Sequence, residues 1–262
     1  MLTFNQRLKK VCTDKNNRLC IGLDLDNEKL SNPSLSYMEG YIKDIIDCTI
    51  DHCPIYKINF SFYEKHGSAG YKILEKIPDF IDNNAITIAD AKRGDIGNSS
   101  RYYAESIFEY LNYDSMTVSP YMGYDSLEPF VKYKDKGVFI LALTSNPGSE
   151  NFQKMTFKSD ELYKHVIRLA NDLNSENNVG LVVGATNYQN LDEIKKEADL
   201  LPWLMPGIGF QGGNLKKSIT IGEESYLSLV NISRGIIRAG DGSISAIRKE
   251  TKKYTQKIRE IL

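Results

Sequence analysis

The 262-residue sequence predicts a (β/α)8 barrel, an α/β fold in which eight parallel strands alternate with helices. Eight apolar, β-branched runs recur with helix-like segments between them, at about thirty residues per unit. No Pro-, Gly- or Ser-rich linker and no abrupt shift in composition divides the chain, so residues 1–262 are predicted to form one domain. A doubly wound open sheet gives similar local patterns and is the main alternative.

The predicted strands lie at residues 19–24, 55–60, 85–90, 115–119, 137–143, 179–184, 203–206 and 228–232. Between the first two strands, segment 36–50 is predicted to be a helix that begins with a capping box formed by Ser36 and Glu39. The opening residues MLTFNQRLKKVC predict a short amphipathic helix. A helix at the end of the chain follows from apolar residues at helical spacing: Ile244, Ile247, Tyr254, Ile258 and Ile261.

The charge balance and hydropathy of the sequence limit the kinds of partner that the protein is expected to bind. The chain has 33 Lys and Arg against 34 Asp and Glu, without the basic excess of most nucleic-acid-binding domains. The longest apolar run, residues 137–143, is too short to span a bilayer. The first residues lack the apolar core of an export signal. We therefore expect a cytoplasmic protein that binds neither nucleic acid nor membrane.

The cysteines and histidines do not form a recognisable metal or disulfide pattern. Cys12, Cys20, Cys48 and Cys53 contain no C-x-x-C pair, and a disulfide framework needs an oxidising compartment. They are predicted to be packing or surface thiols, with no metal site. The three histidines are scattered in polar segments, so any catalysis should depend on carboxylates and lysines.

The most informative segment is DAKRGDI, which begins at Asp90, the last residue of the predicted strand AITIAD. Residues two apart on a strand point to the same face, so Asp90 and Lys92 should project together at the carboxyl end of the strand. Barrel enzymes place their catalytic groups at that end. The alternative is a surface loop of mixed charge.

Other predicted strands also carry polar residues near their carboxyl ends. Each one alone is explained by solubility or capping, but together they place charged and hydrogen-bonding groups around one rim, as an active site requires. These residues are Asp24, Lys57, Asn59, Thr144, Ser145 and Asn146.

A glycine-rich segment, PGIGFQGG, follows the seventh predicted strand at residues 206–213. It contains G-x-G-x-x-G, but it lies late in the chain and no acidic residue follows at the distance of a dinucleotide-binding fold. In barrels, phosphate sites form from the loops after strands seven and eight, where backbone N–H groups at a helix start bind the anion. Arg234, after the eighth strand, adds a planar guanidinium. The pattern therefore predicts a phosphorylated ligand.

The segment DAKRGDI resembles the signature of the orotidine 5′-phosphate decarboxylase family, in its bacterial-type branch with longer chains. Phe210 and Asn214 depart from the usual residues of the phosphate loop. Further similar segments occur in order over more than 200 residues: GLDLD at 22–26, YKINFSFYEKHG at 56–67, SPYMGYDSLEPF at 119–130, LTSNPGS at 143–149, VVGATN at 182–187, PGIGFQGG at 206–213 and NISRGI at 231–236.

The resemblance implies decarboxylation of orotidine 5′-phosphate to UMP, the last step of de novo UMP synthesis, without a metal or organic cofactor. Lys92 would donate a proton to C6 of the pyrimidine, and Asp90 would lie beside the substrate carboxylate. Lys57 would hydrogen-bond Asp90 and the ribose, and Asp24 would bind a ribose hydroxyl.

The resemblance also implies a homodimer with shared active sites, in which Asp95 reaches the site of the other subunit and Ser99 lies near the ribose there. Thr144 and Ser145 would contact the pyrimidine edge, and Gln211 and Arg234 would bind the phosphate. The remaining predicted substrate-binding residues are Asn59, Pro206, Gly209, Gly212 and Ser233.

Two other hypotheses remain open from the sequence. Lys92 could form a Schiff base, as in an aldolase, although the neighbouring Asp90 and Asp95 should keep its amine protonated. The chain could instead be a catalytically silent barrel that only binds nucleotides.

Overall fold

The computed structural model describes residues 2–198, 200–209 and 212–262. Eight parallel strands close into a barrel, because β1 pairs with both β2 and β10. Two short strands, β6 Thr156–Phe157 and β7 Asp160–Glu161, form a separate hairpin after β5. The barrel strands are β1 Leu19–Gly22, β2 Ile55–Asn59, β3 Ile86–Arg93, β4 Ser115–Val118, β5 Gly137–Leu143, β8 Val179–Val183, β9 Trp203–Pro206 and β10 Ser228–Ile232. The closure confirms the predicted barrel and excludes the open sheet.

Helices connect the strands and surround the barrel. None of the described helices is long and apolar enough to cross a membrane. In chain order they are α1 Phe4–Asp14, α2 Leu35–Thr49, α3 Ser61–Glu64, α4 Gly67–Ile81, α5 Gly97–Glu105, α6 Tyr124–Val131, α7 Leu162–Leu173, α8 Leu191–Glu197, α9 Leu215–Ser225, α10 Arg234–Ile237 and α11 Ile244–Arg259, with a π-helical turn, Ser106–Tyr110, after α5.

The predicted capping box of α2 is wrong. The helix begins one residue earlier than predicted, and its N-cap is Ser34, whose extended backbone lets its hydroxyl accept the N–H of Tyr37 at 3.3 Å. Ser36 lies inside the first turn, and the Glu39 carboxylate pairs instead with the Lys76 ammonium at 2.7 Å. The amino-terminal helix α1 does have a capping box, between Thr3 and Gln6.

The interior of the barrel is filled with apolar side chains, and α1 closes its amino-terminal end. Phe4 and Leu8 of α1 pack against this interior layer, and Phe4 contacts Phe139 edge to face at 6.3 Å. Gly137 leaves room for the Phe4 ring, which would lie 2.1 Å from a Cβ at that position. Among the described residues, α1 thus covers the amino-terminal end of the barrel, and a cavity opens at the carboxyl ends of the strands.

The inward-facing positions of the first strands change from apolar to charged at that open end. On β2, Ile55 packs in the interior layer and Lys57 is the next inward-facing residue. On β3, Ile86 and Ile88 pack in the same layer and Asp90 follows. The two-residue period of a strand thus places the charged side chains of Lys57 and Asp90 directly above the apolar side chains that fill the barrel.

Candidate active site

Four charged side chains form a continuous chain of ion pairs at the mouth of the barrel. The Lys57 ammonium donates to Asp90 Oδ2 at 2.8 Å and to Asp24 Oδ1 at 3.3 Å. The Lys92 ammonium donates to Asp90 Oδ1 at 2.6 Å. The signs alternate in the order Asp24, Lys57, Asp90, Lys92, so the formal charge of the array is zero.

Burial and pairing act in opposite directions on the two central groups. Burial alone disfavours an ionised Asp90, but the Lys57 and Lys92 ammonium groups outweigh it and hold the pKa of that carboxyl well below its usual range. Burial alone also disfavours a charged Lys57, but the carboxylates of Asp24 and Asp90 raise its pKa above the ordinary value. Both groups are therefore ionised at neutral pH.

Lys92 is the exposed end of the array. Its side chain is 48% exposed, against 5% for Lys57, so its ammonium faces the open cavity while the other groups hold it from below. An ammonium in this position can donate a proton to a bound molecule without leaving its carboxylate partner.

The backbone that presents Lys92 departs from the regular strand that the sequence predicts. Lys92 has φ +47°, a left-handed conformation that is uncommon outside glycine, and the pairing of β3 with β4 is irregular between Ala89 and Arg93. The Lys92 N–H donates to Thr117 Oγ1 at 3.0 Å, and this hydroxyl donates to Asp90 Oδ1 at 3.0 Å. Local strain of this kind persists where surrounding contacts fix it, often at functional sites.

Thr117 is a site residue that sequence reasoning missed. Its only signal is a hydroxyl in the otherwise apolar run MTV of β4. The side chain is buried beneath Asp90 and links β4 to the array.

The array lines a cavity of about 520 Å³ that opens at the carboxyl ends of the strands. The structure brings ten of the predicted site residues to its walls: Asp24, Lys57, Asn59, Asp90, Lys92, Thr144, Ser145, Pro206, Ser233 and Arg234. They come from loops and strand ends on opposite sides of the barrel, in agreement with the prediction that polar residues near the strand ends lie around one rim.

Thr144 and Ser145, at the end of β5, form the wall of the cavity opposite β1. The Thr144 N–H donates to Gln153 Oε1 at 2.7 Å, and Gln153 Nε2 donates back to Thr144 Oγ1 at 2.9 Å. Asn187 Nδ2 donates to the Thr144 carbonyl at 2.9 Å. Gln153 and Asn187 were not predicted, and they fix the backbone and hydroxyl of Thr144 from two separate loops.

Pro206, the last residue of β9, and Gly207, which follows it, line the cavity next to Ser233 and Arg234 at the start of α10. Gly209 and Gly212 have positive φ angles of 84° and 81°, so this turn needs glycine at both positions. Neither glycine lines the cavity as described. The predicted phosphate ligand Gln211 and its neighbour Phe210 lie outside the described residues.

Asp95 and Ser99 do not face the cavity of their own chain. Asp95 Oδ1 accepts the N–H of Ile96 at 2.8 Å, and the Asp95 carbonyl accepts the Ser100 hydroxyl. Ser99 is exposed in the first turn of α5. The structure therefore separates these two residues from the predicted residues that line the cavity.

The thiols are structural, as predicted. Cys12, Cys20 and Cys53 are buried, Cys48 is half-buried and all four are free. Burial raises the pKa of Cys12 and of Cys53 to about 12, which leaves these thiols protonated and unreactive. Across residues 2–198, 200–209 and 212–262, no group of three or more His, Cys, Asp or Glu side chains could hold a metal ion.

The closed barrel with an ordered lysine–carboxylate array and an arginine at its open end defines a (β/α)8-barrel enzyme. The chain belongs to the orotidine 5′-phosphate decarboxylase / HUMPS family, whose model matches residues 17–249. A relative from Dehalococcoides mccartyi (strain CBDB1), named orotidine 5′-phosphate decarboxylase, is 46% identical over 92% of this chain and 91% of its own.

Solved structures are similar over the whole barrel. The Leishmania donovani OMP decarboxylase has a TM-score of 0.86 and 35% identity, with 97% of this chain and 98% of that chain covered. The Leishmania donovani UMP synthase has a TM-score of 0.89 and 37% identity over 100% of this chain. The present chain spans only 57% of that longer protein.

Proposed function

We propose that the protein decarboxylates orotidine 5′-phosphate to UMP without a metal or organic cofactor, and that residues 1–262 act as one domain for this reaction in the cytoplasm. The observation that carries the proposal is the alternating array of Asp24, Lys57, Asp90 and Lys92, with its one exposed ammonium facing the cavity. The family assignment and the names of the relatives support the same substrate.

In the proposed reaction the bond between C6 and the carboxylate carbon breaks, CO2 leaves and the electron pair stays on C6. Lys92 then transfers a proton from its ammonium to C6, which gives UMP, and the neutral amine regains a proton from solvent. C6 has no adjacent position that delocalises the carbanion well, so a fixed positive charge beside it stabilises the transition state. Asp90 and Thr117 hold that charge in place.

Repulsion between Asp90 and the substrate carboxylate is too weak to drive the reaction. Two like charges about 4 Å apart repel by about 4 kcal/mol at an effective dielectric constant of about 20. This corresponds to about a thousandfold in rate, whereas enzymes commonly supply ~8–23 kcal/mol. The preorganised ammonium of Lys92 and binding energy from the phosphate should provide most of the acceleration.

Substrate binding is assigned around the remaining walls of the cavity. Asp24 binds a ribose hydroxyl, with Asn59 beside it, and Thr144 and Ser145 contact the pyrimidine edge. Arg234 binds the phosphate, together with Gln211 and the glycine turn after β9. The further substrate-binding residues in this proposal are Pro206, Gly209, Gly212 and Ser233.

The position of Lys92 favours proton donation over Schiff-base chemistry. A nucleophilic lysine must be neutral, and enzymes achieve this by desolvation or a neighbouring cation. Lys92 instead lies 2.6 Å from a buried carboxylate and is half-exposed. Borohydride treatment with a ketose phosphate should therefore trap no adduct on Lys92, and a covalent adduct there would support the aldolase hypothesis.

The decisive experiment follows the absorbance of orotidine 5′-phosphate with purified, EDTA-treated protein. We expect turnover to UMP that is lost in Lys92→Ala and retained in Lys132→Ala, which removes an exposed lysine of the outer surface. UMP binding without turnover by the wild type would favour a silent nucleotide-binding barrel. Turnover that requires added metal would contradict the cofactor-free mechanism.

We further propose a homodimer in which Asp95 and Ser99 act in the active site of the partner. Asp95 follows Lys92 by three residues and the chain has already turned away from its own cavity. Exposed apolar side chains surround this segment, as is typical of an interface. They include Ile96, Tyr102, Tyr121, Met122 and Phe152.

Mixing two inactive variants tests the shared site. Lys92→Ala chains are mixed with Asp95→Ala chains and allowed to exchange subunits. In an isologous dimer each heterodimer has one site with both residues intact, so roughly a quarter of all sites should recover activity. If Asp95 serves its own chain, every site still lacks one residue and mixing restores nothing.

A further inference from the structure

A second cavity of about 280 Å³ adjoins the active-site cavity. The two cavities share three wall residues, Asp26, Lys29 and Arg238. Another wall is formed by Tyr37 and Tyr41 of α2, whose rings stack at 6.0 Å with an interplanar angle of 12°. The proposed reaction uses none of these five residues, so this space and its charges are not explained by it.

Arg238 stands at the boundary between the two cavities, one helical turn beyond Arg234. Its backbone N–H donates to the Arg234 carbonyl at 3.2 Å, so the two residues follow each other on one face of the turn. Four residues correspond to a rise of about 6 Å. The Arg238 side chain is exposed, and its guanidinium makes no hydrogen bond or ion pair with another described residue.

The other cations around the boundary are paired with carboxylates, but Arg238 is not paired with any described residue. Asp26 has two ammonium groups near it, from Lys29 and Lys65, each at 3.6 Å. Asp241, on the far wall of the side cavity, is exposed, and its Oδ1 accepts the N–H of Ser243 at 2.9 Å. Lys65 also lies 3.8 Å from Glu28, so the two lysines face two carboxylates, and Arg238 is the boundary cation that has no ion pair with a described residue.

We propose that Arg238, with Lys29, forms a second anion subsite that binds the terminal phosphate of a pyrimidine nucleoside 5′-diphosphate. The inference rests on the proposed function, because Arg234 must hold the first phosphate in the active-site cavity. Arg234 and Arg238 are one helical turn apart, so their flexible guanidinium side chains can bind neighbouring phosphoryl groups. The side cavity provides room for the second phosphoryl group. A diphosphate bound in this way occupies the nucleotide site and competes with the substrate.

The test compares the binding of uridine, UMP and UDP by calorimetry, with EDTA present so that no metal ion masks the diphosphate charge. In Arg238→Ala we expect UDP affinity to fall roughly tenfold, while UMP affinity stays within about twofold of the wild type. Lys29→Ala should act in the same direction with a smaller loss. Arg248→Ala, which removes an exposed arginine of α11 outside both cavities, controls for a general loss of positive charge.

Four results would refute the inference. An equal loss for UMP and UDP in Arg238→Ala would place this arginine on the first phosphate, and an unchanged UDP affinity would show that it contacts neither. A loss in Arg248→Ala as large as in Arg238→Ala would indicate only long-range attraction. If the wild type binds UMP no better than uridine, the phosphate site of the proposed function fails and this inference fails with it.

Discussion

Replacing Lys57 with methionine tests whether one buried ammonium holds the array together. Its Nζ lies 2.8 Å from Asp90 Oδ2 and 3.3 Å from Asp24 Oδ1, and its side chain is almost fully buried. Methionine has a similar length and no charge, so the variant leaves Asp90 and Asp24 at the barrel mouth without their common partner. We expect a loss of both folding stability and activity.

The size of the stability loss follows from these distances. At an effective dielectric constant of about 20, the attractions amount to ~6 kcal/mol at 2.8 Å and ~5 kcal/mol at 3.3 Å, before the cost of burying the ammonium is subtracted. Removing one partner of a buried pair typically costs about 3–5 kcal/mol. Lys92 and Thr117 still contact Asp90, so we expect about 3 kcal/mol, or a Tm lowered by roughly 6–12 °C.

The pH dependence of this loss distinguishes lost charge pairing from poor packing. In the wild type the pKa of Asp90 is depressed, so its pairing stabilises the fold above the ordinary carboxyl pKa of about 4 and is lost only in stronger acid. Without Lys57, burial moves the pKa of Asp90 back upward. The deficit of Lys57→Met should therefore be greatest near neutral pH and should shrink as the pH falls through about 4 and Asp90 takes up a proton.

Thermal unfolding of Lys57→Met and Lys65→Met over a range of pH provides the measurement. Lys65 is a suitable control because it is more exposed and approaches Asp26 only to 3.6 Å, where such pairs contribute about 0–1 kcal/mol. The double variant Lys57→Met/Asp90→Asn should recover part of the loss. A deficit equal to that of Lys65→Met, or one independent of pH, would refute the claim that Lys57 neutralises the two carboxylates.

Three further predictions concern the proposed reaction. Lys92→Ala should abolish turnover but leave binding of UMP largely intact, because the ammonium acts mainly in the transition state; a loss of binding as large as the loss of rate would contradict that role. Arg234→Ala should weaken UMP binding by roughly tenfold to a few hundredfold and leave uridine binding unchanged, and an equal effect on both ligands would place the phosphate elsewhere. Because the pKa of Asp90 is depressed and that of Lys57 is raised, these two groups stay ionised in mild acid, so we expect the low-pH limb of kcat/KM to report the substrate phosphate, whose second pKa is about 6. Orotidine, which lacks the phosphate, should not show that limb; an identical limb for orotidine would assign it to the protein.

The strands of the barrel could be predicted from sequence because each is a short apolar run whose position depends on local composition. All eight predicted runs correspond to strands, and three of them, 137–143, 203–206 and 228–232, match in their bounds. The start of α2 was less predictable, since Ser34 and Ser36 are both good N-cap residues. The backbone conformation of Ser34, which the surrounding fold sets, decides between them.

The supports of the site could not be predicted, because they depend on contacts between distant parts of the chain. Thr117 reaches Asp90 across 27 residues, and Asn187 reaches the Thr144 carbonyl across 43. The left-handed backbone at Lys92 is a further example, since period-two alternation predicts an ordinary strand there. Its stabilising hydrogen bond comes from β4, which no local pattern identifies.

One signal of the site is visible in the sequence once the fold is known. Lys57 follows Asp24 by 33 residues, and Asp90 follows Lys57 by another 33. This spacing is one strand–helix unit of the barrel. The register pairs Gly22 with Lys57 and Asn59 with Asp90, so Asp90 on β3 and Asp24, two residues beyond the end of β1, both lie two residues further along the barrel than Lys57. The long lysine side chain rises from the lower level and ends between them. Alternation of sign along neighbouring strands thus lets three charged groups be buried together, whereas three of one sign at the same positions would repel at distances near 3 Å.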